Sequence, residues 1–241
     1  MSKHRIDNLL VTKGLVGSRE KARVMVMEGS VLADERRMVK PSTLVREDVK
    51  IRLVQSPKFV SRGGIKLDYA LGRLQVDIKS GVALDIGASN GGFTDCLLKR
   101  GASTVYAVDV GYGQLDYRLR QDSRVVVMDR VNARYQFTLP QLVDLATVDV
   151  AFISLEKVVP TVSSLVQTGG LLVVLIKPQF EAGREQVGRG GVVRDPLVHA
   201  AVLSKFICWS IDKGFRVRGL VASPILGPSG NREFFCLLRN H

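Results

Sequence analysis

Apolar and polar positions divide the chain into two parts with different periodicities. Up to residue 56 the spacing predicts two short helices and then short strands, with Leu9 and Leu10 on the apolar face of the first helix. Gly14 and Gly29 are placed to end the two helices, and Ser18 is a good N-cap for the second. The apolar positions predicted for the second helix are Ala22, Val24, Met25 and Met27.

From about residue 64 short apolar segments alternate with helical ones. Strands are predicted at 82–86, 104–108, 125–128, 148–153, 171–176, 215–221 and 233–238, with helices at 93–99, 156–166 and 196–213. Short apolar strands separated by helices are typical of a parallel sheet covered on both faces. We therefore predict an α/β domain at 64–241 with a mostly parallel seven-stranded sheet, preceded by a small α+β domain at 1–56 and a linker at 57–63.

The net charge indicates what kind of partner the protein binds. Thirty-five Lys and Arg against 23 Asp and Glu leave a net charge of +12. Residues 1–56 hold 12 basic and 7 acidic residues, so +5 of this surplus lies in the small domain. Such a surplus favours a polyanion, either nucleic acid or an acidic membrane, although a merely basic surface is the simpler alternative.

Several classes of protein are disfavoured. The longest apolar runs fall far short of the roughly 20 residues of a membrane-spanning helix, and the N-terminus lacks the apolar core of a secretory signal. Three cysteines and three histidines are too scattered for a disulfide framework or a metal site. These features predict a cytoplasmic protein with no metal and no membrane partner, and they leave its oligomeric state open.

A glycine-rich loop follows the first predicted strand of the large domain. In a doubly wound sheet this turn faces the ligand crevice, and glycines let the backbone approach a ligand closely. The loop lacks the GxGxxG spacing that seats a pyrophosphate. Asp109 ends the second strand, where a carboxylate can accept both hydroxyls of a ribose, and Asp129 is placed to meet an adenine amino group. Each carboxylate alone is equally well explained as a helix cap. Together they indicate a nucleoside cofactor, with S-adenosylmethionine favoured, and the candidate cofactor-binding residues are Asp85, Gly87, Ala88, Ser89, Asn90, Gly91, Gly92, Phe93, Asp109, Val110 and Asp129.

These motifs resemble a known family. The segments at 82–92 (VALDIGASNGG), 104–115, 149–155 (DVAFISL), 176–183 (IKPQFEAG), 188–195 and 224–233 resemble the hemolysin A (TlyA) family of ribosomal RNA 2′-O-methyltransferases. The SRxxA-like pattern at 18–22 and the segment 28–31 resemble an S4 RNA-binding domain. The resemblance covers essentially the whole chain. It departs at Asn90, where the family loop usually has Thr, so any role of that hydroxyl does not carry over.

The resemblance implies a fold, a reaction and a partner. The fold is a Rossmann-like class I S-adenosylmethionine-dependent methyltransferase preceded by an S4 domain. The reaction is methyl transfer to a ribose 2′-hydroxyl of ribosomal RNA, at a cytidine of the small- or large-subunit RNA, which makes ribosomal RNA and ribosomal subunits the partners.

The resemblance to the wider FtsJ/RrmJ class also implies a Lys-Asp-Lys-Glu active site. Matching motif by motif places it on Lys66, Asp149, Lys177 and Glu233. A ribose hydroxyl is a poor nucleophile, which must be aimed at the methyl donor and relieved of its proton. Lys177, at the end of a buried strand, is the candidate base because burial favours the neutral amine. Taken singly, Lys66 and Glu233 are typical of ordinary surface charges. The alternatives for the other two are a Lys177 side chain that only extends from the strand end to solvent and an Asp149 that caps the following segment.

Lys and Arg side chains that contact phosphates are expected to supply the affinity for RNA. In the S4-like part the candidates are Arg5, Arg19, Lys21 and Arg23. In the large domain Arg184, Arg189 and Arg194 lie in a glycine-rich loop that either closes over substrate or is simply flexible. Two other functions stay open: a non-catalytic ribosome-binding or assembly factor, and a membrane-active haemolysin, for which no amphipathic membrane helix is evident.

Overall fold

The computed structural model describes residues 3–54 and 58–241. The chain forms two compact units, one up to Lys58 and one from Phe59 onward. The end of the predicted small domain at residue 56 and the start of the predicted linker at residue 57 lie outside the described residues.

The first unit is a small α+β domain, as predicted. Its elements are β1 (Lys3–Arg5), α1 (Ile6–Thr12), α2 (Arg19–Met27), β2 (Val31–Ala33), β3 (Arg36–Met38), β4 (Leu44–Arg46) and β5 (Ile51–Leu53). β1 pairs with β4, and β2 lies between β3 and β5, all antiparallel. The core between helices and strands includes Ile6, Leu10, Ala22 and Val26.

The helix ends of this unit follow the sequence, but one helical face does not. Gly14 and Gly29 adopt positive φ just beyond the two helices, and the Ser18 hydroxyl accepts a hydrogen bond from the Lys21 amide at 3.2 Å. Val24 and Met27 of α2 are apolar, yet each is more than 40% exposed. The core of this domain is thin, so one stripe of α2 fills it and the flanking apolar positions stay outside.

The second unit is a seven-stranded sheet with helices packed against it. Its helices are α3 (Arg62–Arg73), α4 (Gly92–Lys99), α5 (Tyr117–Arg120), α6 (Val159–Ser163), α7 (Pro178–Glu181) and α8 (Pro196–Asp212). Its strands are β6 (Val82–Ile86), β7 (Thr104–Asp109), β8 (Val125–Asp129), β9 (Val143–Val148), β10 (Val166–Ile176), β11 (Arg216–Ala222) and β12 (Phe234–Arg239). The strand order is β11-β12-β10-β9-β6-β7-β8, and β12 runs against its neighbours β10 and β11. The predicted mostly parallel seven-stranded α/β sheet is confirmed.

One strand and one helix differ from their predicted positions. The strand predicted at 148–153 is β9, which ends at Val148, and most of the helix predicted at 156–166 is a short 3-10 turn followed by α6. β9 contains Asp144 and Thr147, whose polar side chains disguise a buried strand in the sequence. Asp144 accepts a hydrogen bond from the Val82 amide at 2.7 Å. This contact with another strand satisfies the polar side chain, so a strand forms here although the segment is not uniformly apolar.

The segment predicted as a linker belongs largely to the second unit. Phe59 is only 4% exposed and lies in its core, and the Val60 amide donates to Asp95 at 2.9 Å. α3 begins at Arg62, inside the predicted linker. Gly64 makes this packing possible, because a Cβ there would collide with the Phe59 ring.

Within residues 3–54 and 58–241, no helix has both the length and the apolar character needed to cross a bilayer.

Candidate active site

A cavity of about 360 Å³ lies in the second unit, where β6, β9 and β10 end. β12 runs antiparallel to β10, with Phe234 opposite Ile176, so the start of β12 lies at the same edge. Asp149, Lys177 and Glu233 are therefore brought together from the ends of β9 and β10 and the start of β12. Lys66, one turn into α3, completes the set, and all four predicted catalytic residues line the cavity.

The four side chains form two ion pairs. Lys66 Nζ lies 2.6 Å from Glu233 Oε2, and the two residues are 7% and 1% exposed. Lys177 Nζ lies 2.5 Å from Asp149 Oδ1 in an ion pair without hydrogen-bond geometry, and both side chains are partly exposed. The set thus combines a buried pair with a second pair that a substrate can reach, and its formal charges sum to zero.

Glu233 is held by the loop that precedes β12. Its carbonyl accepts a hydrogen bond from the Ser223 amide at 2.8 Å. Gly227 packs against its carboxylate so closely that a Cβ at residue 227 would collide with it. This local packing leaves the Glu233 side chain aimed at Lys66.

The glycine loop after β6 forms the floor of the cavity. Gly87 has φ +80°, and a Cβ there would collide with the Asp149 carbonyl, while a Cβ on Gly92 would collide with the Ser61 hydroxyl. The loop thus lies in close contact with Asp149 and with the start of α3, which is why these positions require glycine. The predicted loop residues that line the cavity are Gly87, Ala88, Ser89, Asn90, Gly92 and Phe93.

Asp85, also predicted to bind the cofactor, lies beneath this loop and is fully buried. It accepts hydrogen bonds from the hydroxyls of Thr94 at 2.7 Å and Thr147 at 3.0 Å. Burial raises the pKa of Asp85 to about 6, despite these two bonds. The residue supports the loop from below and does not line the cavity.

The other predicted cofactor residues lie outside the cavity lining, and three of them, Asp109, Val110 and Asp129, lie at the ends of β7 and β8. Asp109 accepts hydrogen bonds from the amides of Ser89 at 2.8 Å and Gly111 at 2.7 Å, which ties it to the glycine loop. Asp129 accepts a bond from Arg120 at 2.7 Å, and this bond lowers the pKa of Asp129. Val110 is 67% exposed. Gly91, in the glycine loop, has φ +91° and lies against the side chains of Leu115 and Leu119.

Sequence reasoning missed one wall of the cavity. It is formed by Ser61, Arg62 and Gly63 at the start of α3 and by the loop residues Leu226 and Pro228. Arg62 donates a hydrogen bond to the Leu226 carbonyl at 2.9 Å and so joins the two segments. The glycine pair ahead of an amphipathic helix was the available signal, because paired glycines at a helix start allow close packing.

Glu181 in α7 was also missed. Its carboxylate accepts hydrogen bonds from the Ser154 hydroxyl at 2.7 Å and the Leu155 amide at 2.8 Å. Burial raises its pKa. Glu181 thereby fastens together the two segments that follow Asp149 and Lys177.

The predicted RNA-contacting residues belong to the first unit. Arg5 donates two hydrogen bonds to the buried carboxylate of Asp7, at 2.8 and 3.0 Å, and Arg19 approaches the same carboxylate at 3.4 Å. The bond from Arg5 is the main reason why the pKa of Asp7 is lowered. Lys21 and Arg23 are exposed on α2. Asp7 therefore fixes two of the four cations, while the other two project from the helix.

Comparisons with known proteins agree with both units. The family model described as FtsJ-like methyltransferase matches residues 59–240, and the S4 domain model matches residues 4–51. The chain is 43% identical to the 16S/23S rRNA (cytidine-2′-O)-methyltransferase TlyA of Mycobacterium tuberculosis over 98% of this chain and 89% of that protein. It is 38% identical to Hemolysin A of Brachyspira hyodysenteriae, over 95% and 97% of the respective chains.

A solved structure extends this likeness to three dimensions. It is a candidate hemolysin from Streptococcus thermophilus, 43% identical, with a TM-score of 0.75 over 100% of this chain and 89% of the other. The family suggested by the sequence motifs is thus confirmed. The chain belongs to the TlyA, or hemolysin A, family, in which an S4 domain precedes an FtsJ-like methyltransferase domain.

Proposed function

We propose that this protein transfers a methyl group from S-adenosylmethionine to a ribose 2′-hydroxyl of ribosomal RNA, at a cytidine. The observation that carries the proposal is the convergence of the Lys66–Glu233 and Lys177–Asp149 pairs in one cavity beside the glycine loop. The relative from Mycobacterium tuberculosis, named for this reaction on 16S and 23S RNA, supports the choice of substrate.

The residues present fit S-adenosylmethionine. Residues 87–90 and Gly92 of the glycine loop line the cavity, and two of these five carry no side chain. Asp109, fixed by two backbone amides, retains lone pairs that can accept from the hydroxyls of a ribose. When bound, S-adenosylmethionine supplies the methyl group on a positively charged sulfonium.

Lys177 takes the proton of the ribose hydroxyl in this proposal. Its ammonium is partly exposed to the cavity, so a hydroxyl can reach it, and Asp149 holds it at the edge of the sheet. In its unprotonated form the Lys177 amine would accept the hydroxyl proton as the ribose oxygen takes the methyl group, and the sulfonium would leave as a neutral thioether.

Lys66 and Glu233 orient the substrate. Their pair is buried and rigid, which suits a group that positions a hydroxyl better than one that must change its charge. The S4 unit contributes affinity through Arg5, Arg19, Lys21 and Arg23, whose cations suit RNA phosphates.

Transfer of labelled methyl groups tests the proposal. The purified protein is incubated with labelled S-adenosylmethionine and one of three substrates: unmethylated 30S subunits, 50S subunits or naked ribosomal RNA. Ribose methylation is then mapped in the product. We expect label on the 2′-oxygen of a cytidine. Lys177→Ala should lower the rate at least about 100-fold while RNA binding stays intact, and the exposed Lys213→Ala serves as the matched control. Absence of transfer to every RNA would favour the non-catalytic ribosome-binding alternative, and label on a base would exclude the ribose reaction.

A further inference from the structure

A buried asparagine joins two loops beside the active site. Asn231 is 1% exposed. Its Oδ1 accepts a hydrogen bond from the Val193 amide at 2.9 Å, and its Nδ2 donates to the Gly191 carbonyl at 2.8 Å. Both ends of this one amide are therefore occupied by backbone from a segment about 40 residues away.

The loop that Asn231 holds has a defined shape. Gly188 and Val192 form an antiparallel bridge that closes residues 188–192 into a tight turn. Val193 is buried, and its carbonyl contacts His199 Nε2 at 3.0 Å. The glycine-rich segment is thus pinned at three points, which disfavours the simple mobile loop that its composition suggests.

We call Asn231 and the turn at 188–192 that it holds the clip, and three arginines flank it. Arg194 follows the residue whose amide bonds to Asn231, Arg232 follows Asn231 itself, and Arg189 lies in the closed turn. All three are exposed. Within the described part of the second unit, no carboxylate forms an ion pair with any of them, so their charge is left for a partner.

We propose that Arg189, Arg194 and Arg232 form a docking surface for RNA phosphates next to the target ribose. This inference rests on the proposed function. Arg232 directly precedes Glu233, and the loop that carries it contributes Leu226 and Pro228 to the cavity wall. RNA phosphates that flank a ribose in the cavity would therefore lie close to this loop, and guanidinium groups suit phosphate geometry.

The clip explains why three cations can act together. Side chains on a mobile loop lose conformational entropy when they bind a partner. A loop that is already ordered loses less, so its side chains bind with higher affinity. Asn231 leaves neither polar atom of its amide exposed, because both form hydrogen bonds with the backbone of the loop. The surface is thus built by a residue that cannot itself touch the RNA.

The experiment uses the full chain and removes the three charges together, as Arg189→Gln, Arg194→Gln and Arg232→Gln. The matched control removes three exposed arginines far from the cavity, Arg73→Gln, Arg216→Gln and Arg218→Gln, which lie at the end of α3 and towards the remote end of β11. The measurements are binding of 16S and 23S RNA transcripts at several salt concentrations, KM and kcat for methyl transfer, and S-adenosylmethionine binding.

For the triple variant we expect the KM for RNA to rise about 10-fold and the slope of log K against log salt to fall by about 2. The kcat at saturating RNA and the affinity for S-adenosylmethionine should stay within about 2-fold, since none of the three lines the cavity. Asn231→Ala, which keeps the arginines but frees the loop, should also raise KM.

Three results would overturn the inference: equal effects in the triple variant and its control, a fall in kcat without a change in KM, or an unchanged KM in Asn231→Ala. Vesicles of phosphatidylglycerol provide a further arm. Binding to them that depends on the three arginines, with RNA binding unaffected, would identify a membrane as the partner instead. If the wild-type protein methylates no RNA, the proposed function fails. The docking surface is still tested in that case, because RNA binding by the triple variant can be compared with RNA binding by its control.

Discussion

The buried pair between Lys66 and Glu233 makes a quantitative prediction about stability. The perturbation is Lys66→Met, which keeps most of the side-chain volume and removes the charge. Glu233 is 1% exposed, so its carboxylate would be left in the interior without its cation. A buried charge that has lost its partner is strongly destabilising.

The magnitude follows from the geometry. At 2.6 Å and an effective dielectric constant of about 20, the attraction between the two charges is about 6 kcal/mol. Desolvation of the two ions costs several kcal/mol each, so the intact pair contributes little net free energy. Removal of one partner leaves the other's desolvation uncompensated and should lower the free energy of unfolding by about 3–5 kcal/mol.

Urea unfolding followed by tryptophan fluorescence measures this change. Trp209 is the single tryptophan in the sequence, and it packs against Phe206 and Phe215 in the catalytic unit, so the signal reports on that unit alone. With a slope of about 2 kcal/mol per molar, the midpoint should fall by about 1.5–2.5 M. The control is Lys205→Met, which breaks a pair with Glu156 whose side chains are 63% and 29% exposed, and which should cost about 1 kcal/mol or less.

The double variant decides whether the reasoning is right. Lys66→Met combined with Glu233→Met removes both charges and should recover at least about 2 kcal/mol of the loss. If the double variant is as unstable as the sum of the two single variants, the residues are not coupled. If Lys66→Met costs no more than the surface control, the pair is not buried in solution.

Three further predictions concern the buried carboxylate, the glycine loop and the S4 unit. Asp85→Asn should remove the pH dependence that this carboxyl gives to the free energy of unfolding. In the wild type the carboxyl contributes about 2–3 kcal/mol below about pH 4, and this contribution is lost as pH rises through about 6, because the folded pKa lies above the unfolded value. Urea unfolding of both proteins between pH 4 and 8 measures the difference. Gly87→Ala should abolish S-adenosylmethionine binding in calorimetry, since its Cβ collides with a backbone carbonyl, whereas Gly214→Ala, also at positive φ but with open space, should cost only about 1–2 kcal/mol of stability and leave binding intact. Asp7→Asn should weaken RNA binding in a filter assay although net charge rises, because Arg5 loses the carboxylate that orients it.

Each of these has a contrary outcome. A pH-independent difference between wild type and Asp85→Asn would show that this carboxyl does not titrate between pH 4 and 8. Equal behaviour of the two alanine variants at glycine positions would mean that the close approach at Gly87 is not required. Tighter RNA binding by Asp7→Asn would mean that total charge outweighs orientation in the S4 unit.

The sequence by itself determined the architecture. Alternation of apolar strands with helices is a local property, because each segment must bury one face or both wherever its neighbours come from. The seven-stranded sheet, the small α+β domain and the positions of the glycine loop, Lys177 and Glu233 at strand ends followed from it. Family resemblance was needed to single out the four catalytic candidates as a set, and two of them, Lys66 and Glu233, look like ordinary surface charges in isolation.

Tertiary structure decided what the local pattern could not express. β9 carries polar residues whose partners come from a distant strand, so its apolar signal was displaced to 148–153. The partner of Lys66 lies 167 residues away, and Asn231 bonds to a loop about 40 residues earlier. Which buried polar group meets which partner depends on the register of β12 against β10 and on the close approach of α3 to the glycine loop. These are contacts between segments, and the chain acquires them only when the hydrophobic core brings those segments together.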